Sequence, residues 1–391
     1  MKQTMHDLIT VFSWFTLCMA ASVWAAGTYH GGSGTADTPY QILTAAHLME
    51  LGQHTEDYDN HFILLADIDM DPDIPGNQAW DKAVIAPNNE NSETFNLPPF
   101  SGTFDGNGHR IKNLNFLDPT TSHVGLFGKV DSSGMILNLG VENTFIEAWK
   151  FNSYNVGFLA GENDGTIIDC HATGKRFDES YDSSHYPINV GGLVGKNTGF
   201  VFDCYSEGKI VGGANAGGLV GHNLNGYIQK SHSTCVLIDC RQNNGGLVGS
   251  NEGSAVIAYS YATGHVQGHW PSGGLAGFSQ GLNYDQKAVI NRCYATGSVD
   301  YGNGLVGDAY YYALIKNSYS VGLAEGLVGS CNHSYSDVIN CFWDIDTSIS
   351  TYSVGGTGLD TEQLKQRQTF TDAGWDFDST WVMIEGRTYP Y

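Results

Sequence analysis

The sequence predicts an all-β chain, a right-handed parallel β-helix (solenoid) with short helical caps at both ends, and three observations carry that expectation. A pentad, Gly191-Gly192-Leu193-Val194-Gly195, recurs along the chain. The text between pentads repeats in aligned columns of short β-type runs, without the 3.6-residue apolar period of a helix. Glycine supplies 50 of 391 residues, about 13% against the roughly 7% of average proteins, so the chain turns often.

The pentad returns unchanged at 217–221 and 245–249, with one change at 273–277, and in degenerate form at 124–128, 157–161, 303–307 and 325–329. Its final glycines are separated by 33, 34, 26, 28, 28, 30 and 22 residues. A unit of that size cannot bury its own apolar face, whereas parallel coils stacked at roughly 4.8 Å bury it against one another. Two or three strands per coil are expected, with the right hand following from the preference of parallel crossovers.

Aligned repeats give three columns. One reads Ile167, Val201, Ile228, Ile257, Ile290, Ile315, Val338, and three residues later another reads Cys170, Cys204, Ser231, Ser260, Cys293, Ser318, Cys341. An odd separation cannot put both on one face of a straight strand, so a corner or bulge between them is expected to turn both inward. Free exchange of Cys with Ser excludes a shared metal or disulfide role and points to a packed small-residue column. Cys235 and Cys240 are the one pair considered for a local bridge. The next column holds His171, Tyr205, His232, Tyr261, Tyr294 and Tyr319 and closes on Phe342. Its rings are expected to point outward and stack, either as a stabilising ladder or as a flat strip that lies against sugar rings.

The apolar stretch Leu8 to Ala21 behind Lys2 is too short for a membrane span and reads as a signal peptide over 1–25. The remainder divides into an N-terminal cap with first coils (26–100), the repeat helix (101–343) and a C-terminal capping segment (344–391). Thr44 to Leu51 and Thr361 to Leu364 have the spacing and cap residues of short helices that would cover the end coils. A formal charge of −23 excludes nucleic acid as the partner, because phosphate is held by clustered Lys and Arg. No later run is apolar enough to make an integral membrane protein.

The pentads, the opening Gly102-Thr103-Phe104-Asp105-Gly106-Asn107-Gly108, the closing Cys341-Phe342-Trp343-Asp344 and the tail around Gly374-Trp375-Asp376-Phe377 resemble bacterial GLUG-motif repeat proteins. The resemblance covers most of the chain after residue 25. It implies a β-helix and a secreted or cell-surface, adhesin-like protein, without an active site and without naming a ligand; the partner expected of the chain is an extracellular glycan or a host or neighbouring cell surface.

Motifs for chemistry are few. Gly277-Phe278-Ser279-Gln280-Gly281 has the spelling of a nucleophile elbow but sits in repeat register, without the strand-to-helix turn the elbow needs. Asp67, Asp69, Asp71 and Asp73 alternate, which on a strand sets four carboxylates on one face where Ca²⁺ would collect, although no EF-hand pattern accompanies them. No other cofactor is expected. His265 and His269, four apart between Gly264 and Pro271, are not expected to share a helix or a metal. The rival to a binder is a polysaccharide lyase or glycoside hydrolase, for which the stacked Asp169 and Asp203 are the suggestive carboxylates. A structural envelope or matrix role is the third reading. No residue is assigned as catalytic.

Overall fold

A computed structural model describes residues 27–147, 154–177, 188–331 and 335–391. The signal peptide expected over 1–25 lies outside them. One coil shows the plan of all: strands Ile188–Gly191, Val194–Asn197, Phe200–Phe202 and Tyr205–Val211, after which the next coil begins at Ala214. Each of the four strands pairs in parallel with its counterpart in the coils before and after. The result is a parallel β-helix with four sheets, numbered here in their order around the coil, of 5, 8, 11 and 15 strands. Four strands per coil, rather than two or three, arise because the pentad is itself a corner. Gly191 ends a sheet 1 strand and Val194 begins a sheet 2 strand.

At that corner the backbones of successive coils nearly touch. Leu193 N and Val194 N both donate to the carbonyl of Leu219, at 2.9 and 3.1 Å, and the same pattern recurs from Leu219 to Leu247 and from Leu247 to Leu275. A Cβ on Gly192 would stand 2.2 Å from Gly218 O, and one on Gly191 2.0 Å from Val194 O, so the glycines are required by contact. The pentad leucines themselves are fully buried.

The second corner resolves the odd spacing between the columns. Residues 138, 169, 203, 230, 259, 292, 317 and 340 all have φ between +49° and +55°, which reverses the side-chain alternation between sheets 3 and 4. The Ile column and the Cys/Ser column consequently both point inward, and both are buried except at Val338 in the last coil, which is half-buried. Within the latter each γ atom donates to the carbonyl two residues back, as from Cys204 to Phe202 (3.2 Å), Ser231 to Gln229 (2.9 Å) and Ser260 to Ala258 (2.8 Å). Sulfur and oxygen both serve, so the two residues interchange. The seven cysteines among the described residues are all free, Cys235 and Cys240 included.

The core is one continuous apolar column along the helix. Helix α1 (Ala45–Gln53), capped by Thr44 as expected, buries Leu48 and Leu51 in the same core as Ile42 and Phe62. At the other end Gln363–Lys365 makes a single 3₁₀ turn, followed by α2 (Arg367–Asp372). This C-terminal segment packs through Leu364, Phe370, Trp375 and Trp381 on the outer face at Tyr319 and Phe342, forming a separate apolar cluster. The pentad corner has its own terminator: Ser353 Oγ accepts from Leu327 N (3.2 Å) and Val328 N (3.0 Å), standing where the next leucine carbonyl would be.

The Cys/Ser column is open to test. Burial pushes the Cys293 and Cys341 thiols up to about 12, so alkylation of the native protein is expected to leave Cys170, Cys204, Cys293 and Cys341 unmodified, and unfolding to release them as free thiols. Cys204→Ser is expected to change stability little, whereas Cys204→Val loses the donor to Phe202 O and costs about 1–3 kcal/mol in denaturant unfolding. Equal stability of the two variants would make the column a matter of volume alone.

Candidate functional site

Candidate surfaces are built from the residues that point away from the core. On sheet 4, directly after the inward Cys/Ser position, the expected rings project outward and stack: His171 on Tyr205 at 4.8 Å and 3°, Tyr205 on His232 at 5.2 Å and 11°, His232 on Tyr261 at 4.7 Å and 7°, Tyr261 on Tyr294 at 4.8 Å and 4°, Tyr294 on Tyr319 at 5.3 Å and 12°. Each pair is worth about 0.5–1.5 kcal/mol beyond its buried area.

This geometry corrects the expectation of a flat strip. Nearly parallel rings one coil apart cover one another's faces, so the ladder presents edges, hydroxyls and imidazole nitrogens, and a sugar has no ring face to lie against. The ladder is also bounded. Gly140 occupies the register position before His171, whose Nε2 pairs with Glu142 at 3.0 Å. At the other end Tyr319 is 1% exposed beneath Trp375 and Trp381, with its hydroxyl donated to Pro390 O at 2.6 Å. Tyr319 therefore belongs to the C-terminal core and is removed from any binding strip. Burial raises the Tyr261 phenol and, together with its Tyr261 neighbour, pushes that of Tyr294 up to about 12.

Around the positive-φ corner, the outward face of sheet 3 is open instead. Phe200 is 57% and Tyr227 42% exposed, directly paired in the ladder with ring centres 6.0 Å apart, and Met135 is exposed in the same register column. The corner itself carries Asp169 and Asp203. Asn and Asp tolerate positive φ better than other side-chain-bearing residues, so the backbone accounts for both carboxylates without catalysis. Lys230 and Arg292 occupy the same strained position, lying 5.2 Å over Phe202 and 5.4 Å over Tyr259.

The four aspartates do not converge. Only Ile68–Asp69 forms a strand, and Asp71 and Asp73 lie in the turn that follows. Asp67 is committed to Lys112 Nζ at 2.7 Å and Asp69 to Asn113 Nδ2 at 2.8 Å. Among the described residues no group of three or more His, Cys, Asp or Glu is placed to hold a metal. His265 pairs with Ser298 (2.7 Å) rather than with His269.

Sequence reasoning missed two features. The asparagines after the pentads form a buried ladder, Asn163 donating to Asn197, Asn197 to Asn223 and Asn223 to Asn251 at 2.8–2.9 Å. Their recurrence at one pentad-relative position was the available signal. The second is an ionic cluster on sheet 2. Glu162, 5% exposed, meets His123 Nε2 at 2.9 Å, Asn155 Nδ2 at 3.0 Å, Lys129 Nζ at 3.2 Å and Lys196 Nζ at 3.5 Å. Burial works to raise its carboxyl, but the His123 hydrogen bond and the two lysine charges outweigh burial and hold it at about 2.

With the geometry established, comparisons place the chain among known proteins. The sequence model of the GLUG motif matches residues 186–211. A protein described by inference as a Gly-rich membrane protein, from Evansella cellulosilytica, is 32% identical over 413 aligned residues, covering 94% of this chain and 46% of the relative. Halomucin from Haloquadratum walsbyi is 31% identical over 147 residues, 37% of this chain and 2% of halomucin. The chain thus spans less than half the length of the relatives it matches. A crystal structure described by inference as an immunoglobulin A1 protease, from Bacteroides ovatus, is 21% identical at a TM-score of 0.42, covering 71% of this chain and 80% of that one. Among the described residues no helix is long and apolar enough to cross a membrane.

The Glu162 cluster predicts acid sensitivity. A folded value near 2, below an unfolded 4.5, adds stability that is complete above about pH 4.5 and is lost as pH falls toward 2. The full contribution is on the order of 3 kcal/mol. Denaturant unfolding at pH 7 and pH 3 is expected to show a steep acid loss in the native protein and a shallower one in Glu162→Gln; parallel declines would remove Glu162 as the titrating group.

Proposed function

For this chain, which is a GLUG-motif repeat protein, we propose a role at the cell surface as an adhesin-like binding module, a rigid β-helical rod that holds an extended neutral glycan of a host or neighbouring cell along one lateral face. The observation that carries this reading is the open outer face of sheet 3, where Phe200 and Tyr227 expose ring surface in strand register. Exposed apolar surface of this kind on a rigid scaffold marks an interaction site. Two rings on adjacent coils let weak contacts act together. The charge of −23 favours a neutral over a polyanionic glycan. A surface location is supported by the relative described as a membrane protein, and residues 1–25 would serve export.

Because Phe200 and Tyr227 point outward from strands, a Phe200→Thr, Tyr227→Thr double variant is expected to keep its thermal transition yet lose attachment to glycan-coated or cell surfaces at least tenfold, while Tyr301→Ser leaves attachment unchanged. Full attachment by the folded double variant would refute this face. Incubation with acidic and neutral polysaccharides is expected to release no reducing ends or unsaturated products. Turnover abolished by Asp169→Asn, which keeps the backbone preference, would make the protein an enzyme instead.

A further inference from the structure

The repeat breaks in one place with chemical content. Sheet 1 ends after five strands, at Ser272–Gly273. The pentads beyond it replace their first glycine with Asn303 and then Glu325, one coil apart. Where sheet 1 would have continued there is a pocket of about 340 Å³, lined by both of these residues together with Trp270, Gly329, Tyr352 and Ser353. Two of the lining groups pack onto the last pentad glycine: a Cβ on Gly329 would stand 2.2 Å from Asn303 Nδ2 and 2.5 Å from the Trp270 ring, so a side chain there would displace both.

Asn303 is 3% exposed, and its Nδ2 is a buried donor without a hydrogen-bond partner. An unsatisfied buried donor costs about 1–3 kcal/mol, a cost that a ligand oxygen in the pocket would relieve. Trp270 and Tyr352 are 50% and 71% exposed, and among the described residues no other ring lies against either, in contrast to the rings of the sheet 4 ladder. Glu325 is exposed and supplies an acceptor at the rim. The volume lies in the range of small-molecule sites.

A free aromatic face for a C–H face, an amide donor and a carboxylate acceptor together complement a pyranose. The Glu325 charge, on a chain of net charge −23, opposes an acidic sugar. We propose that this pocket binds a single neutral pyranose residue, as the end or a branch of a glycan; the proposal rests on reading the chain as a glycan-binding module and adds a second subsite to the sheet 3 face.

Saturation-transfer NMR on the full chain with glucose, galactose, N-acetylglucosamine and glucuronate tests it. Transfer to ring protons of at least one neutral sugar and none to glucuronate is expected. Glu325→Gln, which leaves the fold untouched, and Trp270→Ala are each expected to weaken binding at least tenfold. Absence of transfer to all neutral sugars, equal transfer to glucuronate, or binding unchanged in Glu325→Gln would overturn the pocket. The Phe200→Thr, Tyr227→Thr variant separates the two readings, because it is expected to keep the sugar signal while losing surface attachment. Attachment without a sugar signal in the native protein would sink the pocket alone.

Discussion

At each central pentad corner one leucine carbonyl accepts two consecutive N–H groups from the coil before it, and the flanking glycines let the two backbones come close enough for that. This contact fixes where every coil begins relative to its neighbour. The insertion between Gln280 and Ala288 lies in a loop, while the corner and the strands around it hold register. The last corner keeps the same geometry with a hydroxyl, Ser353 Oγ, replacing the missing carbonyl. A coil without a successor needs such a replacement, since a buried N–H left unpaired is costly.

Fixed register turns each position into a column, and a column places like beside like. That suits groups able to satisfy a copy of themselves: an amide donates on one side and accepts on the other, an aromatic ring stacks on both faces, and a γ-thiol or γ-hydroxyl closes onto its own strand. Difficulty is pushed to the column ends. Asn163 Oδ1 and Asn251 Nδ2, at the two ends of the inner amide ladder, lack partners, because Val130 precedes the first in the column and Ser279 follows the last. The ring ladder solves the same problem with Gly140 at one end and a C-terminal apolar cap at the other.

The columns were legible in the sequence because a period of 22 to 34 residues is a one-dimensional signal. The corner between sheets 3 and 4 was legible in outline, since an odd spacing demands it. The positive φ behind it was obscured by Lys230, Tyr259 and Arg292 among the Asn and Asp residues. The buried amide ladder was not legible, because Asn beside Gly favours turns as well as ladders and only burial distinguishes them. Alternating aspartates suggested a strand face, but the strand there is two residues long. What a ring presents to solvent depends on its neighbours in the stack, which no single repeat states.

A column that satisfies itself has little left to offer a ligand. The six stacked rings from His171 to Tyr319 are saturated by one another, and the inner asparagines by their neighbours and by backbone carbonyls, so regularity supplies rigidity rather than recognition. Recognition needs groups whose partners are missing, and a solenoid leaves those where the repeat changes. On sheet 3 the change is from Thr166 on one side and Val256 on the other to Phe200 and Tyr227 on an uncovered face. At the end of sheet 1 it is from glycine to Asn303 and Glu325, beside rings with free faces. In a β-helix, then, departures from the repeat carry the chemistry, and the repeat holds them at fixed distances from one another.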